Sequence, residues 1–192
     1  MTSASLPDAE ITLGRLAEKM RDAVAFDAKL IGIYSGGAWL AERLADMLDG
    51  EHPVGYIDVS FYRDDYAQKG LRAKLATTTL PFEVPGSRIV LVDDVLYTGR
   101  SVRAAINELF DYGRPDSIEL AVLIDRGGRE LPIEATYVGA RLAVARDLSI
   151  VLQRHLDGRR GYCFTRWCNG DLHRQQPSRR LVHLRRNGWV AP

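Results

Sequence analysis

The order of apolar and polar positions divides most of the chain into short strands and amphipathic helices. Apolar runs or alternation predict strands at residues 29–34, 54–61, 89–92 and 118–124, and a further strand within 136–139. Apolar residues at helical spacing predict helices that begin near residue 8, after residue 37 and near residue 101. Strands that alternate with helices predict an α/β fold with a mostly parallel sheet flanked by helices.

Three of the predicted strands end in polar turns that contain glycine. These turns begin at Ser35, Asp93 and Asp125. In open α/β sheets the ligand crevice lies outside the carboxyl ends of the strands. We therefore expect the three turns to converge on one site.

The most informative turn follows the apolar strand at residues 89–92. Asp93 and Asp94 stand where that strand would reach the surface, a small-residue turn comes next, and Ser101 is the predicted N-cap of a helix. Free backbone N–H groups and the positive end of a helix favour a phosphate. The two acids suit a ligand that carries hydroxyls or magnesium beside its phosphate. The alternative is an ordinary strand-to-helix connection with two solvated acids.

Composition places the chain among ordinary globular proteins. The 192 residues are 46% hydrophobic and 27% charged, which suits one domain with its own core. No apolar run approaches the roughly 20 residues that span a bilayer, and no signal peptide is evident, so we expect no membrane partner. Two late cysteines predict no disulfide framework and a cytoplasmic location. The histidines have no predicted chemistry, and His52 is expected at the surface.

Positive charge is concentrated at the end of the chain. From residue 154 onward nine arginines face two aspartates, a net charge of +7, which leaves −6 for the rest of a chain of net charge +1. We therefore divide the chain into a domain at residues 1–160 and an Arg-rich tail at residues 161–192, without strand or helix periodicity. The tail is interpreted as an RNA-binding arm, as a sequence that has left its ancestral reading frame, or as a disordered tail.

The turn after the central strand resembles the motif that binds 5-phosphoribosyl 1-diphosphate (PRPP) in type I phosphoribosyltransferases. The resemblance covers Ile89, Val90, Leu91, Val92, Asp93, Asp94, Val95, Leu96, Tyr97, Thr98, Gly99, Arg100 and Ser101. With residues 58–65, 111–115 and 122–133, the chain resembles the PyrR family, which combines a pyrimidine-operon regulator with a uracil phosphoribosyltransferase. This resemblance implies a type I phosphoribosyltransferase-like fold with a small hood and a mobile loop.

The resemblance implies conversion of uracil and PRPP to UMP and pyrophosphate. Magnesium would be bound through PRPP, without dedicated protein ligands. Asp93 and Asp94 would hold the ribose hydroxyls, and residues 97–101 would hold the 5-phosphate.

Pyrophosphate is assigned to two other segments. Ser35, Gly36 and Gly37 correspond to the family's pyrophosphate loop. Arg63 on the mobile loop is the candidate catalytic cation for the pyrophosphate, unless it forms a surface ion pair with a neighbouring aspartate.

The resemblance also implies how the base is chosen. Purine members often carry an Asp where Tyr97 stands, so Tyr97 favours a pyrimidine. Asp125, Arg126 and Gly127 are the candidate uracil-binding residues, although Arg126 could pair with Glu130 instead. A phosphoribosyltransferase for another base is the alternative.

The family's second function is UMP-dependent binding of a pyrimidine-operon mRNA leader, which controls transcription attenuation. Arg129 and Arg141 are the candidate RNA-binding residues. Gly128 replaces a His common in regulatory members, and the usual Lys is missing beside Arg141. A salvage enzyme without RNA binding is therefore the alternative. The family also suggests a homodimer or a higher oligomer.

Overall fold

The computed structural model describes residues 6–59, 77–154 and 161–168. The helices are α1 (Ala9–Arg21), α2 (Gly36–Met47) and α3 (Arg100–Asp111). The strands are β1 (Lys29–Ile33), β2 (Val54–Ile57), β3 (Arg88–Leu96), β4 (Ser117–Asp125), β5 (Tyr137–Arg141), β6 (Leu148–Arg154) and β7 (Tyr162–Cys168). This order confirms the prediction of an α/β fold.

Five of these strands form a parallel sheet in the order β2-β1-β3-β4-β5. The longest pairing joins β3 to β4, from Arg88 opposite Ser117 to Leu96 opposite Asp125. Because all five strands run the same way, their carboxyl ends meet at one edge of the sheet, which we call the carboxyl edge. The connections that follow β1, β3 and β4 therefore begin at that edge.

Apolar clusters cover both faces of the sheet, which explains why its strands read as continuous apolar runs. Val90 and Val92 of β3 belong to the cluster formed with α1 and α2. Ile89 and Leu91 point to the opposite face and belong to the cluster formed with α3. The helices begin within about two residues of their predicted starts, and their apolar faces pack in these two clusters.

A separate antiparallel pair is formed by β6 and β7. The sequence predicted no strand after residue 161, yet the backbone of Tyr162–Cys168 pairs with Leu148–Arg154 along its whole length. Tyr162 is buried in the cluster of α1 and α2. The first part of the Arg-rich segment therefore packs on the domain, and the rest of that segment lies outside the described residues.

One buried residue contradicts the sequence prediction. His52 was expected at the surface but is only 9% exposed. Its Nδ1 lies 2.9 Å from the Ala28 carbonyl oxygen and its Nε2 lies 3.3 Å from the Asp49 carbonyl oxygen. The ring ties the start of β1 to the loop before β2, which local polarity could not reveal. In the part of the chain that the structure describes, no helix is long and apolar enough to cross a membrane.

Candidate active site

The start of α2 lies directly against the end of β3. A Cβ atom added to Gly36 would overlap the Asp94 carboxylate, and one added to Gly37 would overlap the Val92 carbonyl oxygen. Only glycine allows so close an approach of the two backbones. The structure thus brings the predicted pyrophosphate loop, residues 35–37, to the predicted PRPP motif.

The two acids lie within β3 rather than beyond its end. The sequence predicted that the strand stops at Val92, but β3 continues to Leu96 because β4 pairs with it as far as Asp125. Asp93 is 7% exposed, and its Oδ1 accepts a hydrogen bond from the Asp94 N–H at 2.9 Å. Asp94 Oδ1 accepts from the Val95 N–H at 3.0 Å, and its other oxygen faces Gly36. The two carboxylates therefore have fixed orientations at opposite faces of the sheet.

The phosphate turn, residues 97–101, connects β3 to α3. The N-cap of α3 is Gly99, with φ +92°, rather than the predicted Ser101, which lies inside the helix. No side chain caps this end in the described structure, and the first turn of α3 contains no acidic residue. Thr98 Oγ1 accepts a hydrogen bond from the Arg100 N–H at 3.3 Å. The turn thus presents the positive end of a helix without a competing carboxylate in its first turn.

The segment after β4 covers this turn, and we call residues 125–133 the hood segment. The Thr98 carbonyl oxygen accepts from the N–H groups of Glu130, at 3.0 Å, and Leu131, at 3.2 Å. The side chain of Glu130 pairs with Arg100 at 2.7 Å. Glu130 therefore forms its ion pair with Arg100. The ion pair between Arg126 and Glu130, which the sequence left open as an alternative, is not formed.

Arg126 is buried and stacks on Tyr97. Its guanidinium carbon lies 3.9 Å from the centre of the Tyr97 ring, and the residue is only 6% exposed. Nη2 donates to the Ala145 carbonyl oxygen at 2.9 Å, whereas Nε is buried and has no hydrogen-bond partner among the described residues. Burial lowers the pKa of Arg126, against a smaller opposing effect of Tyr97. A buried donor without a partner is costly, and it marks a place where a ligand acceptor would be favoured.

A cavity of about 480 Å³ opens beside Arg126. It is lined by residues 125–128 of the hood segment, by Arg141 at the end of β5, and by residues 142–144, which follow β5. Its position at the carboxyl ends of β4 and β5 places it next to the phosphate turn. The predicted base-binding residues Asp125, Arg126 and Gly127 therefore all line one cavity.

Arg129 faces into the protein and joins the hood segment to the end of β3. Its Nη1 donates to the carbonyl oxygen of Tyr97 at 2.8 Å and of Leu96 at 3.3 Å. Nε donates to the Ile133 carbonyl oxygen at 2.9 Å, and Nη2 to Asp125 Oδ1 at 2.7 Å. The guanidinium that was predicted to contact RNA is thus occupied inside the protein. The sequence signal for this role was only the spacing of four residues between Asp125 and Arg129.

The charge on Asp125 depends on these contacts. Burial raises the pKa of Asp125, but a hydrogen bond from the Gly127 N–H and the adjacent Arg129 guanidinium outweigh it, with a further contribution from Arg141. The net result holds the pKa below its ordinary value. Arg141, the second predicted RNA residue, has a side chain 68% exposed, with Nε 3.7 Å from Asp125 Oδ2.

One predicted feature and the question of metal ligands remain to be reported. Arg63 and the mobile loop lie outside the described residues. Among residues 6–59, 77–154 and 161–168, no group of three or more His, Cys, Asp or Glu side chains could hold a metal ion.

Comparison with known proteins identifies the family. The model of the phosphoribosyl transferase domain matches residues 4–147. The chain is 54% identical over 155 residues to the bifunctional protein PyrR of Ralstonia nicotianae, a match that covers 80% of this chain and 88% of that protein. The chain belongs to the PyrR family. It is 47% identical over 152 residues to the bifunctional protein PyrR of Pseudomonas aeruginosa, covering 77% of this chain and 89% of that protein.

Membership in the PyrR family confirms the resemblance read from residues 58–133. The family unites uracil phosphoribosyltransferase activity with regulation of pyrimidine operons, and the chain is a phosphoribosyltransferase by its domain.

Solved structures agree on the fold. A hypoxanthine-guanine phosphoribosyltransferase from Bacillus anthracis superposes with a TM-score of 0.59 at 19% identity, covering 79% of this chain and 88% of that chain. A purine phosphoribosyltransferase from Pyrococcus horikoshii gives a TM-score of 0.53 at 29% identity, covering 69% of this chain and 81% of that chain. The predicted type I phosphoribosyltransferase-like architecture is thereby confirmed.

Proposed function

We propose that residues at the carboxyl edge transfer the phosphoribosyl group of PRPP to uracil, yielding UMP and pyrophosphate. The observation that carries this proposal is the meeting of the α2 start, the β3 carboxylates and the phosphate turn at one edge of the sheet. In the reaction the bond from the anomeric carbon to pyrophosphate breaks, a bond to the uracil N1 forms, and the N1 proton is released. The anomeric carbon becomes positively charged on the way, so positioning and charge stabilisation supply most of the rate enhancement.

Asp93 and Asp94 bind the ribose and stabilise the developing positive charge in this proposal. Their support is the geometry of β3, in which backbone N–H groups hold one oxygen of each carboxylate. Groups that are oriented before the substrate binds need no reorganisation during the reaction. The same negative charges disfavour binding of a phosphate alone, which explains their place beside, rather than within, the phosphate turn.

The 5-phosphate and the pyrophosphate of PRPP occupy two helix N-termini. The 5-phosphate binds the phosphate turn at the start of α3, and the pyrophosphate binds residues 35–37 at the start of α2. Neither first turn contains an acidic residue, and neither N-cap is blocked by a side-chain hydrogen bond in the described structure. Arg63 stays a sequence-based prediction as a further cation for the pyrophosphate.

Uracil binds in the cavity beside Arg126. A uracil ring needs a donor for a carbonyl oxygen and an acceptor for its N3–H. The Nε of Arg126 supplies the buried donor, and backbone carbonyls of the hood segment supply the acceptor. Tyr97 fixes the guanidinium from one side, so the donor is held in place before the base arrives.

Magnesium enters with PRPP. The residues present fit this arrangement, since Mg²⁺ is usually held by one or two carboxylates together with substrate phosphates and water. The Asp94 carboxylate lies against Gly36, and the backbone of Asp93 lies against Gly37. When bound, the ion neutralises charge on the leaving pyrophosphate.

The double variant Asp93→Asn with Asp94→Asn tests the assignment of the carboxylates. We expect UMP formation to fall by about two orders of magnitude or more while the melting temperature stays close to that of the wild type. Asp116→Asn, an exposed aspartate before β4, is the matched control and should leave the rate unchanged. A double variant with near wild-type turnover would remove the sugar-binding role from these acids.

We further propose that this chain retains the second function of the family, which is UMP-dependent binding of a pyrimidine-operon mRNA leader. The supporting observation is Arg141, which is exposed at the carboxyl edge close to the cavity, whereas Arg129 is occupied internally. Arg141→Gln should weaken leader binding, and Arg114→Gln, which removes one exposed charge before β4, should not. A truncation that tests the tail must end after Cys168, because a chain that ends at Arg160 would lose β7.

RNA titrations distinguish three possibilities: regulation by the domain, RNA binding by the tail alone, and a salvage enzyme without RNA binding. UMP-enhanced binding that selects the leader over a scrambled RNA, and survives truncation after Cys168, supports regulation by the domain. Binding that ignores UMP and sequence, and is lost steeply with salt, would assign the affinity to the tail. No binding, with uracil turnover intact, would leave a salvage enzyme. A cytoplasmic location and a homodimer or higher oligomer remain proposals; sedimentation velocity measures the latter.

A further inference from the structure

We propose that Tyr162 of β7 is a positioning residue for the pyrophosphate loop, through its hydrogen bond to the first turn of α2. This inference rests on the proposed role of residues 35–37 in binding pyrophosphate. It assigns a function in PRPP affinity to the β6–β7 hairpin, which lies beyond the segment that resembles the PRPP-binding motifs.

The first turn of α2 has little internal support. Ser35, its N-cap, makes no side-chain hydrogen bond to the helix, and the N–H of Trp39 lies 3.5 Å from the Ser35 carbonyl oxygen. A hydrogen bond of that length is weak. Gly36 and Gly37 add no side chains to hold the turn in place. Its position must therefore come from contacts with other elements.

One side of this turn packs on β3, and the opposite support comes from β7. The Tyr162 hydroxyl donates to the Trp39 carbonyl oxygen at 3.0 Å. The Tyr162 and Trp39 rings are nearly parallel, at 5°, with centroids 6.3 Å apart, which is the offset arrangement that aromatic pairs favour. Tyr162 thus holds both the backbone and the side chain of a residue three positions after Gly36.

Tyr162 is itself fixed by α1. Its backbone N–H donates to Glu10 Oε1 at 2.8 Å, while Glu10 Oε2 pairs with Arg43 at 3.0 Å. The Arg43 guanidinium carbon also lies 5.6 Å from the centre of the Tyr162 ring. The hydroxyl of Tyr162 therefore approaches α2 from a residue whose backbone cannot move freely.

A second contact joins the hairpin to the same residue of α2. The Arg154 guanidinium carbon of β6 lies 4.5 Å from the centre of the Trp39 ring, and Arg154 lies 3.8 Å from Glu42. Both strands of the hairpin thus contact Trp39. Displacement of the hairpin would release the outer side of the turn that carries Gly36 and Gly37.

Tyr162→Phe tests the inference, because it removes the hydroxyl and keeps the ring. Tyr137→Phe is the matched control: Tyr137 is equally buried, at 7%, and its hydroxyl donates to Glu119 at 2.9 Å, away from α2. In the full-length chain we expect Tyr162→Phe to raise both the dissociation constant and the KM for PRPP about fivefold, the value of one net hydrogen bond. Both kcat at saturating PRPP and the KM for uracil should stay within about twofold of the wild type, since no group that touches uracil changes.

Amide hydrogen exchange in the ligand-free protein supplies an independent measurement. The Tyr162→Phe variant should exchange the amides of residues 37–40 faster, whereas Tyr137→Phe should not. Glu10→Gln, which weakens the same contact from α1 without altering Tyr162, should change exchange and PRPP affinity in the same direction. Equal effects of the two Tyr variants on PRPP affinity and exchange would overturn the inference. If the wild type bound no PRPP, the proposed function would fail, and the exchange comparison would still decide whether Tyr162 orders α2.

Discussion

The guanidinium of Arg126 lies 3.9 Å above the ring of Tyr97, so the cavity beside β4 and the phosphate turn after β3 share a wall. Tyr97 belongs to the turn, and Arg126 belongs to the hood segment. A base in the cavity and a phosphoribosyl group at the turn would therefore be positioned by one pair of side chains.

Two substitutions of Tyr97 should distinguish the contribution of its ring to uracil binding from that of its hydroxyl. Tyr97→Phe keeps the face on which Arg126 stacks and should change the KM for uracil by less than about threefold. Tyr97→Leu removes the π face, a contribution of about 0.5–2 kcal/mol, so we expect the KM for uracil to rise by about tenfold. Steady-state kinetics with uracil varied at saturating PRPP measures both. Equal kinetics for the Phe and Leu variants would show that the stack has no part in binding the base.

The two glycines of the hood segment differ only in what lies beside them. Gly127 and Gly128 both have positive φ, +70° and +79°, so an alanine at either costs about 1–2 kcal/mol of backbone strain. A Cβ at Gly128 would also lie 2.5 Å from Tyr97 Cε2, whereas no described atom lies within 4 Å of one at Gly127. Gly128→Ala should therefore weaken UMP binding more than Gly127→Ala does, and it should also lower the melting temperature further. Calorimetric titration with UMP and thermal unfolding supply the two measurements.

The close approach of Gly128 to Tyr97 also affects what a histidine at position 128 could do for RNA binding. Gly128→His would restore the residue common in regulatory members, but its Cβ cannot fit unless Tyr97 moves. We expect this substitution to lower UMP affinity, so that it does not by itself strengthen UMP-dependent RNA binding. A variant with tighter leader binding and unchanged UMP affinity would contradict this account of Gly128.

Gly37 should be the least replaceable glycine near the pyrophosphate loop. Gly37→Ala places a Cβ on the Val92 carbonyl oxygen, and overpacking of this kind costs about 1–3 kcal/mol. Gly14→Ala, in the middle of α1, meets no described atom within 4 Å and should stabilise the fold by about 0.5–1 kcal/mol. Chemical denaturation measures both, and PRPP binding should be lost only in Gly37→Ala. A neutral Gly37→Ala variant would contradict the close packing of α2 on β3.

Arg129 should lower the acid limit of the folded state, the pH below which the protein unfolds, through its effect on Asp125. The folded-state pKa of Asp125 is held below its ordinary value, so its contribution to stability is present above the unfolded pKa of about 3.9 and is lost as pH falls through the folded pKa. Arg129→Gln removes a cause of that lowering, so acid-induced unfolding and loss of activity should begin at a higher pH. Melting temperatures recorded between pH 3 and pH 7 test this.

Arg141→Gln is the matched control for Arg129. It removes a more distant and exposed charge from the same carboxylate, so its acid limit should shift less than that of Arg129→Gln. An acid limit that moves equally in both variants, or in neither, would remove Arg129 from this role.

The fold and the meeting of the turns could be predicted because they follow from local patterns. The apolar run at residues 89–92 required a strand buried on both faces, and parallel strands end at one edge. The exact end of β3 depends on pairing with β4 as far as Asp125, and the N-cap at Gly99 depends on where the helix hydrogen bonds begin. Neither is a property of residues 93–101 taken alone.

Other features depend on distant partners. Arg129 was interpreted as an exposed cation, but its guanidinium finds three backbone carbonyls and a carboxylate that only the folded chain brings together. The strand at Tyr162 was missed because its short run of aromatic, polar and charged residues has no clear period. It is stabilised by β6 and by contacts of Tyr162 with α1 and α2.

Product formation with a panel of bases tests the central claim most directly. The wild-type chain, with PRPP and magnesium, should be assayed with uracil, orotate, hypoxanthine and adenine, and kcat/KM compared. We predict that uracil is converted to UMP with the highest kcat/KM, at least about a hundredfold above the purines, because Tyr97 stands where purine members often carry the aspartate that contacts the base. Turnover of a purine or of orotate, but not of uracil, would contradict the assignment of the base site, and the absence of both turnover and PRPP binding would contradict the account of the carboxyl edge.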